Sequence, residues 1–327
     1  MKPRPPFLWL WVLWIAAASV GGCSVQREPV SIALSLEPLS ALVVLAEAEG
    51  LFQQEGLDVT IREYASGRLA LQGMLKGQTE FATVADTPIV LNSFERGDFK
   101  LLATIASSDN DPRIVARRDR GIAQPFDLAG KRIGTQKGSA VHFFLHHFLL
   151  KHGLEGARTT VVFLEPAELP SALARGEIDA FSMREPLVGE AQRLLGDNAV
   201  LFGERGLYLK TFNLVGREDL VKTRSSVVHK ILRSLIQAEE YGRRYPDEAR
   251  RKVANRLQLS EAARAREWSD LRLQVSLDQS LLLSLEDQAR WAMSEGLVNE
   301  KAMPNFLSMV ALAPLHAIRP EAVRLVH

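Results

Sequence analysis

Short strand patterns alternate with helical patterns along the first two thirds of the chain, and this alternation restricts the possible folds more than any other feature. The stretches Val30–Leu36, Leu57–Tyr64 and Glu80–Val84 have the length and composition of strands. Helical stretches of about 8–15 residues separate them, and several end at a glycine. The pattern continues to about Tyr208. Strands that alternate with helices in this way favour an α/β fold with mainly parallel sheets.

The last third of the chain has a different pattern. Three long amphipathic stretches follow Gly216, at Thr223–Arg244, Asp247–Leu257 and Leu277–Ser294, and we interpret them as helices. Their many Arg and Glu residues fit solvent-exposed faces better than a binding patch. A chain of 327 residues is long enough for about two domains.

The segment Lys131–Gly153 has the pattern of a strand, a glycine turn and a helix. Gly138 allows the turn, Ser139 is a good N-cap, and Gly153 follows the last helical turn. A helix that begins in this way presents free backbone N–H groups and the positive end of its dipole to whatever lies in front of it. Many ordinary β-α turns look the same, so the turn alone does not identify a site.

Two segments in different halves of the chain resemble each other. Leu75–Pro88 and Ala174–Pro186 each have the pattern of a helix end, a glycine, a short strand, a carboxylate and a helix that begins near proline. Many β-α units share parts of this pattern. The alternative is two similar lobes, each presenting the carboxyl end of a strand to a shared crevice, where ligands of open α/β sheets bind.

The N-terminus has the features of an export signal. Lys2 and Arg4 precede a 14-residue apolar run, Phe7–Val20, which is short for a membrane span. The run ends at Val20-Gly21-Gly22-Cys23, which resembles a bacterial lipobox. We therefore expect a signal peptide over residues 1–22, a lipid on Cys23 and a tether over 23–29. The protein would be exported and anchored to a membrane, facing the periplasm or the cell exterior. A simple signal peptide with an incidental cysteine is the alternative.

Charge and cysteine content exclude several functions. The 40 Lys and Arg residues nearly balance the 39 Asp and Glu residues, so the net charge of +1 gives no reason to expect a nucleic-acid partner. Cys23 is the only cysteine. The mature protein therefore has no internal disulfide, no cysteine-based zinc site and no thiol nucleophile.

The best candidates for catalysis are histidines. His142 and His146 have the i, i+4 spacing of metal ligands on a helix, but the sequence indicates no third ligand. Ser139 with His142 as nucleophile and base lacks an evident orienting acid. No P-loop or G-x-G-x-x-G is present. We therefore expect no catalysis, no metal and no cofactor.

Several motifs taken together resemble a known family, the solute-binding components of ABC importers for sulfonates, taurine, nitrate and related small molecules. The motifs cover nearly the whole mature chain, and they are Glu49–Val59, Asp127–Gly134 followed by Gly138-Ser139, Arg175–Ala180 followed by Glu185-Pro186, and Leu277–Leu282 with Gln288–Trp291. The resemblance implies a periplasmic-binding-protein type II fold in which two α/β lobes close on a ligand. Lobe 1 would comprise residues 30–112 and 212–327, and lobe 2 residues 113–211. It also implies a monomer that delivers its ligand to a permease and ATPase complex.

The resemblance also suggests which residues contact the ligand. The family places such contacts at Ser35, Glu37, Ser66, Gly67, Asp86, Thr87, Gly138, Ser139, Ala140, Arg184 and Glu185. In the sulfonate-type proteins an aromatic residue usually occupies the position of Arg184. An arginine there can bind an anion through two hydrogen bonds, or it can pair with Glu185 or Asp179.

The nature of the ligand and of the output stays open at this stage. A sulfonate, taurine, nitrate or a pyrimidine precursor would each fit the family. The same fold also occurs in pyrimidine synthases, so an enzyme is one alternative function. A ligand-sensing domain that signals to a receptor is another.

Overall fold

The computed structural model describes Met1 and residues 27–154, 158–259, 268–299 and 302–325. The predicted signal peptide after Met1, Cys23 and most of the tether lie outside these residues. Among the described helices, none is both long and apolar enough to cross a membrane.

As far as β10, strands and helices of the described part of the chain mostly alternate, except that β5 directly follows β4 and β10 directly follows β9. The strands are β1 (Glu28–Ser35), β2 (Leu57–Tyr64), β3 (Phe81–Ala85), β4 (Phe99–Ser108), β5 (Arg113–Arg117), β6 (Arg132–Thr135), β7 (Thr160–Phe163), β8 (Ala180–Met183), β9 (Ala199–Phe202), β10 (Lys210–Arg217), β11 (Arg272–Asp278) and β12 (Val323–Arg324). The helices are α1 (Ala41–Ala48), α2 (Leu51–Gln54), α3 (Gly67–Leu75), α4 (Asp86–Ser93), α5 (Ala140–Lys151), α6 (Leu169–Arg175), α7 (Leu187–Leu195), α8 (Glu218–Thr223), α9 (Ser225–Arg244), α10 (Pro246–Arg256), α11 (Gln279–Ser294), α12 (Phe306–Met309) and α13 (Leu312–Ile318).

The strands form two sheets, and each sheet is the centre of one lobe. Lobe 1 is built on seven strands in the order β12-β11-β4-β10-β3-β1-β2, and lobe 2 on five in the order β7-β6-β8-β5-β9. In lobe 1, α1 and α9 pack together, and buried side chains such as Ile32, Leu42 and Leu235 form its core. In lobe 2, Leu173 of α6 and Phe181 of β8 belong to a separate buried cluster. The predicted α/β fold with two sheets is confirmed.

The chain crosses between the sheets twice, and the two crossings lie side by side. β4 of lobe 1 leads through residues 109–112 into β5 of lobe 2, and β9 leads back through 203–209 into β10. β4 pairs with β10, and β5 pairs with β9. The crossings also touch each other, because the Gly206 N–H donates to the Asp109 carbonyl at 3.1 Å. The sequence predicts that the chain returns to lobe 1 at residue 212. In the structure β10, the strand of lobe 1 that follows the second crossing, begins at Lys210.

The sheets are mixed, which corrects the expectation that they would be mainly parallel. β1 is parallel to β2 and β3, and β6 is parallel to β7 and β8. β10 is antiparallel to both neighbours, and so is β5. The reason is that the crossing strands enter the sheets without an intervening helix, so the crossover that makes strands parallel is absent there.

The sequence interpretation also missed a strand in the last third. Leu277 lies at the end of β11, and the helix predicted from that residue begins at Gln279. β11 pairs with β4 and has Val275 and Leu277 fully buried. The alternating apolar residues of β11 run directly into the apolar residues of α11. The sequence pattern therefore places the start of the helix too early.

Candidate functional site

A small cavity lies between the two lobes, where β3 and β8 end. The room it leaves is about 20 Å³, close to that of one water molecule. The residues around it are Glu37, Ser66, Gly67, Arg68, Ala85, Pro88, Gln136, Ser139, Ala140, Val141, Arg184 and Lys210. Ala85 is the last residue of β3, and Arg184 is the first after β8. The two segments that resemble each other in sequence therefore meet at this cavity.

Three helices begin at the cavity. Ser66 is the N-cap of α3 and accepts a hydrogen bond from the Leu69 N–H at 3.3 Å. Ala85 is the N-cap of α4, and Ser139 is the N-cap of α5. The first-turn N–H groups of a helix have no partner within the helix, and each helix start carries about half a positive charge. This arrangement provides hydrogen-bond donors and positive potential for an anion.

Gly67 allows α3 to begin close to the end of β3. A Cβ atom on Gly67 would lie 3.1 Å from the Ala85 nitrogen and 3.1 Å from the Val84 Cα. These are backbone atoms, so a side chain here would push two main-chain segments apart.

A cluster of four buried charged side chains forms one wall of the site. Lys210 Nζ lies 2.6 Å from Glu37 Oε2 and 2.7 Å from Asp111 Oδ2. Arg184 Nε lies 2.6 Å from the same Glu37 oxygen. This last contact lacks the alignment of a hydrogen bond, so we describe it as an ion pair. Glu37 is on lobe 1 and Arg184 is on lobe 2, so the cluster joins the lobes.

The surroundings of Glu37 keep it ionised. Burial acts to raise its pKa, but the charges of Arg184 and Lys210 act in the opposite direction. Hydrogen bonds from Lys210 and from the Ser35 hydroxyl, at 2.6 Å to Oε1, strengthen this effect. The net result lowers the pKa of Glu37 from 4.5 to about 2.

Further contacts cross the cleft between the lobes. Arg184 donates to the Ala65 carbonyl at 3.3 Å. Gln136 hydrogen-bonds the Ser66 hydroxyl in either orientation of its amide. At the rim, Arg68 donates to Glu165 at 3.0 Å. The structure therefore has a closed cleft with polar groups of both lobes in contact.

The structure brings together six of the residues that the family resemblance suggested. Glu37, Ser66, Gly67, Ser139, Ala140 and Arg184 all line the cavity. Ser35 lies behind it and orients Glu37 through its hydroxyl. Ser139 is at the N-cap as predicted, but its hydroxyl donates to the Gln136 carbonyl at 2.7 Å and does not cap the helix.

Asp86 and Thr87 are fully buried beside the cavity. Asp86 accepts hydrogen bonds from the Tyr208 hydroxyl, from the Thr87 N–H and from both the N–H and the hydroxyl of Thr211. Burial raises the pKa of Asp86 despite these bonds. Thr87 donates to Gln288. In this closed form both side chains hold lobe 1 together.

Gly138 and Glu185 also lie outside the lining. Gly138 has a φ of +63° and forms the turn before α5. Glu185 accepts a hydrogen bond from the Gly189 N–H at 2.9 Å, at the start of α7. Asp179 pairs with Arg132, and Arg184 forms an ion pair with Glu37, which the sequence did not suggest as its partner.

Sequence reasoning missed Arg68, Gln136, Asp111 and Lys210. Arg68 directly follows the predicted Ser66-Gly67 pair, and this adjacency is a signal that could have identified it. Asp111 lies on the first crossing and Lys210 is the first residue of β10, and no local pattern marks either of them.

The histidine candidates lie in an aromatic cluster. The His142 ring packs 5.0 Å from the Phe163 ring and 5.2 Å from the Trp291 ring, centroid to centroid. Burial lowers the pKa of His142 to about 4. In the described ranges no group of three or more His, Cys, Asp or Glu side chains is placed to hold a metal ion.

Binding proteins are among the sequence relatives of this chain. A protein of Brucella abortus (strain 2308) named as a binding protein is 23% identical over 213 residues, which make up 64% of this chain and 65% of that protein. The chain thus spans slightly less than two thirds of the length of that relative. The taurine-binding periplasmic protein of Escherichia coli (strain K12) is 23% identical over 228 residues, 68% of this chain and 70% of that protein.

Solved structures share the fold. The alkanesulfonate-binding protein SsuA of Xanthomonas axonopodis pv. citri, bound to MOPS, matches with a TM-score of 0.73 and 22% identity. The match covers 85% of this chain and 97% of that one. The desulfurization enzyme DSZB matches with a TM-score of 0.65 and 18% identity, over 89% of this chain and 98% of that one. The periplasmic-binding-protein fold expected from the sequence is confirmed.

A family model described as NMT1/THI5 like matches residues 37–249, which include Glu37, Arg184 and Lys210. The match covers well over half of the chain and confirms the resemblance drawn from the motifs, so this protein belongs to the NMT1/THI5-like family.

Proposed function

We propose that this protein is the solute-binding component of an ABC importer and that it holds a small organic anion in the cavity between its lobes. The observation that carries the proposal is the convergence of three helix N-termini and the buried Arg184 on one small cavity between the lobes. Helix N-termini and arginine both favour negatively charged groups with several acceptor oxygens.

The contacts across the cleft support a binding and closing cycle. The small volume of the closed cavity means that a ligand enters only when the lobes separate. Two adjacent crossings are the usual form of a hinge, and a ligand that contacts both lobes shifts the equilibrium toward closure.

The relatives guide the choice of ligand. Taurine and alkanesulfonates carry a sulfonate, a tetrahedral anion with three acceptor oxygens. A taurine-binding protein is a sequence relative of this chain, and an alkanesulfonate-binding protein shares its fold. A sulfonate-type solute is therefore our proposed ligand class. Nitrate and a pyrimidine precursor are suggested as ligands by the sequence resemblance alone.

The remaining assignments follow from the same role. We propose an exported monomer, with residues 30–112 and 212–327 as lobe 1 and residues 113–211 as lobe 2, that works with a permease and an ATPase. A lipid on Cys23 would hold it at the membrane, because several acyl chains on one cysteine anchor a protein stably. Mass spectrometry of the mature N-terminus tests this, and an unlipidated product cleaved elsewhere would contradict it.

A catalytic role is the second candidate, because DSZB shares the fold. We propose that this protein is not an enzyme. Among the described residues that line the cavity there is no histidine or cysteine, and the Ser139 hydroxyl donates to a carbonyl. A hydroxyl without a neighbouring base is a weak nucleophile.

Calorimetric titration of the purified protein with ethanesulfonate tests the proposal. We expect binding that Arg184→Gln weakens at least tenfold, because a charged donor to the anion is lost. Arg175→Gln is the control, since Arg175 forms an exposed ion pair with Glu177 away from the cavity. Absence of binding to any sulfonate by the folded protein would reject this function, and turnover of a sulfonate would favour the enzyme.

A further inference from the structure

The charged wall of the cavity has a consequence for the ligand itself. We infer that Glu37 determines specificity: it restricts the ligand to one negative charge, and because both of its oxygens are occupied it offers no free carboxylate to an amino group. The ligand class is then a small monoanionic acid without an ammonium group. This inference rests on the proposed function, since it concerns the solute held in the same cavity.

The charged side chains around the cavity balance one another. The charges of Glu37 and Asp111 cancel those of Arg184 and Lys210, and all four side chains are at least 95% buried. Arg68 at the rim is paired with Glu165. The positive potential that remains comes from the helix N-termini, each about half a charge. At α4 the buried Asp86 in the first turn offsets this charge and accepts the Thr87 N–H. The N-termini of α3 and α5 together contribute about one positive charge, which matches one negative charge on the ligand.

A second negative charge on the ligand has no counterpart. In the closed form Arg184 and Lys210 contact the same oxygen of Glu37, so Glu37 offsets much of their positive charge. A dianion would bring an uncompensated charge close to the buried carboxylate, where screening by solvent is weak. The site therefore distinguishes a sulfonate from a phosphate ester of the same shape.

An amino group on the ligand is disfavoured for a related reason. Glu37 is the one acidic side chain among the lining residues that the structure describes. Its Oε2 contacts two cations, and its Oε1 accepts the Ser35 hydroxyl at 2.6 Å. An ammonium group inside the cavity would face helix N-termini, Arg184 and Lys210 without an acceptor of opposite charge.

Three probes of nearly equal size separate these effects. Ethanesulfonate is a monoanion, taurine is the same molecule with an added amino group, and ethyl phosphate becomes a dianion above its second pKa of about 6. At pH 7.5 we expect ethanesulfonate to bind at least tenfold more tightly than either of the others. Between pH 7.5 and pH 5 the affinity for ethyl phosphate should rise at least fivefold, while that for ethanesulfonate stays nearly constant.

Glu37→Gln tests the residue directly, because it keeps the shape and removes the negative charge. At pH 7.5 the ratio of ethanesulfonate to ethyl phosphate affinity should fall at least tenfold in this variant. Glu177→Gln makes the same change in net charge at an exposed ion pair and should leave the ratio unchanged. The pH comparison on the unaltered protein gives an answer even when Glu37→Gln does not fold.

The outcomes are distinct. Equal affinity of the unaltered protein for ethanesulfonate and the phosphate dianion, or tighter binding of taurine, would overturn the inference. An unchanged ratio in folded Glu37→Gln would also overturn it, and the proposed function would stand if ethanesulfonate binds. Failure of all three probes to bind would overturn the inference together with the proposed function.

Discussion

Lys210 Nζ lies 2.6 Å from Glu37 Oε2, although 173 positions separate the two residues in the chain. The same ammonium group contacts Asp111 at 2.7 Å, so one side chain at the start of β10 contacts both the loop after β1 and the first crossing. All three residues are about 1% exposed. Charged groups buried to this degree are stable only when paired, so the cluster acts as a unit.

Lys210→Met should therefore be strongly destabilising. The variant leaves Asp111 without its cation and Glu37 with Arg184 alone, and breaking a buried ion pair by removing one partner costs about 3–5 kcal/mol. Urea unfolding at pH 7 measures the free energy of unfolding. Lys222→Met is the control, because Lys222 is exposed and pairs with Glu218 at i, i+4, where a loss below about 1 kcal/mol is expected. Similar losses in both variants would contradict the role of the buried cluster.

The low pKa of Glu37 predicts a loss of stability in acid. Its folded-state pKa of about 2 lies below the ordinary 4.5, so folding favours the ionised form. The resulting stabilisation, about 3 kcal/mol, is present above pH 4.5 and is lost as the pH falls toward 2. Asp86, whose pKa burial raises, acts in the opposite direction.

Comparison with Glu37→Gln isolates this contribution. The difference in free energy of unfolding between the two proteins should shrink as the pH falls from 4.5 toward 2. Urea unfolding at pH 7, 4.5 and 3 provides the measurement. A difference that stays constant over this range would mean that Glu37 does not titrate as its contacts indicate.

Ser139→Ala tests whether the Ser139 hydroxyl contacts the ligand or only stabilises the start of α5. Loss of the hydrogen bond to the Gln136 carbonyl should lower stability by about 1 kcal/mol. A ligand contact by the hydroxyl would add a tenfold to hundredfold loss of affinity. Ser171→Ala is a matched control, since the Ser171 hydroxyl also donates to a carbonyl three residues earlier, at an exposed position. Titration calorimetry beside thermal melting distinguishes the roles, and lower stability with unchanged affinity would leave Ser139 as scaffold.

Gly67→Ala should impair the site through the backbone. The added methyl group would meet the main chain of Val84 and Ala85 at 3.1 Å, and relief requires α3 to move away from the end of β3. We expect a loss of about 1–3 kcal/mol in stability and a severalfold loss of affinity. In Gly97→Ala the new Cβ meets nothing within 4 Å, so it serves as the control. Unchanged affinity for ethanesulfonate in Gly67→Ala would show that the position of α3 is not critical.

Local sequence signals predicted the elements of the site better than its contacts. The segment Lys131–Gly153 folds as β6, the Gly138 turn and α5, because turn and cap preferences act over a few residues. The hydrogen bond of the Ser139 hydroxyl was harder to predict. At a helix start a serine hydroxyl can accept from a helix N–H or donate to a nearby carbonyl, and the sequence does not decide between these two geometries. Lys210 at the start of β10 and Glu37 after β1 are far apart in the chain and meet only in the folded protein, so no local pattern encodes their contact.

The placement of the crossings also affects how lobe 2 can be altered. Ile114 of β5 and Phe202 of β9 are directly paired neighbours, so the segment between them begins and ends at nearly the same point. Such a segment is an insertion in the chain of lobe 1, and the two crossings that connect it to lobe 1 lie side by side. Proteins tolerate an inserted domain best when the two ends of that domain lie close together. We therefore expect that lobe 2 can be exchanged for that of a relative while β4 and β10 stay paired, provided that the incoming lobe supplies a cation for Glu37 in place of Arg184.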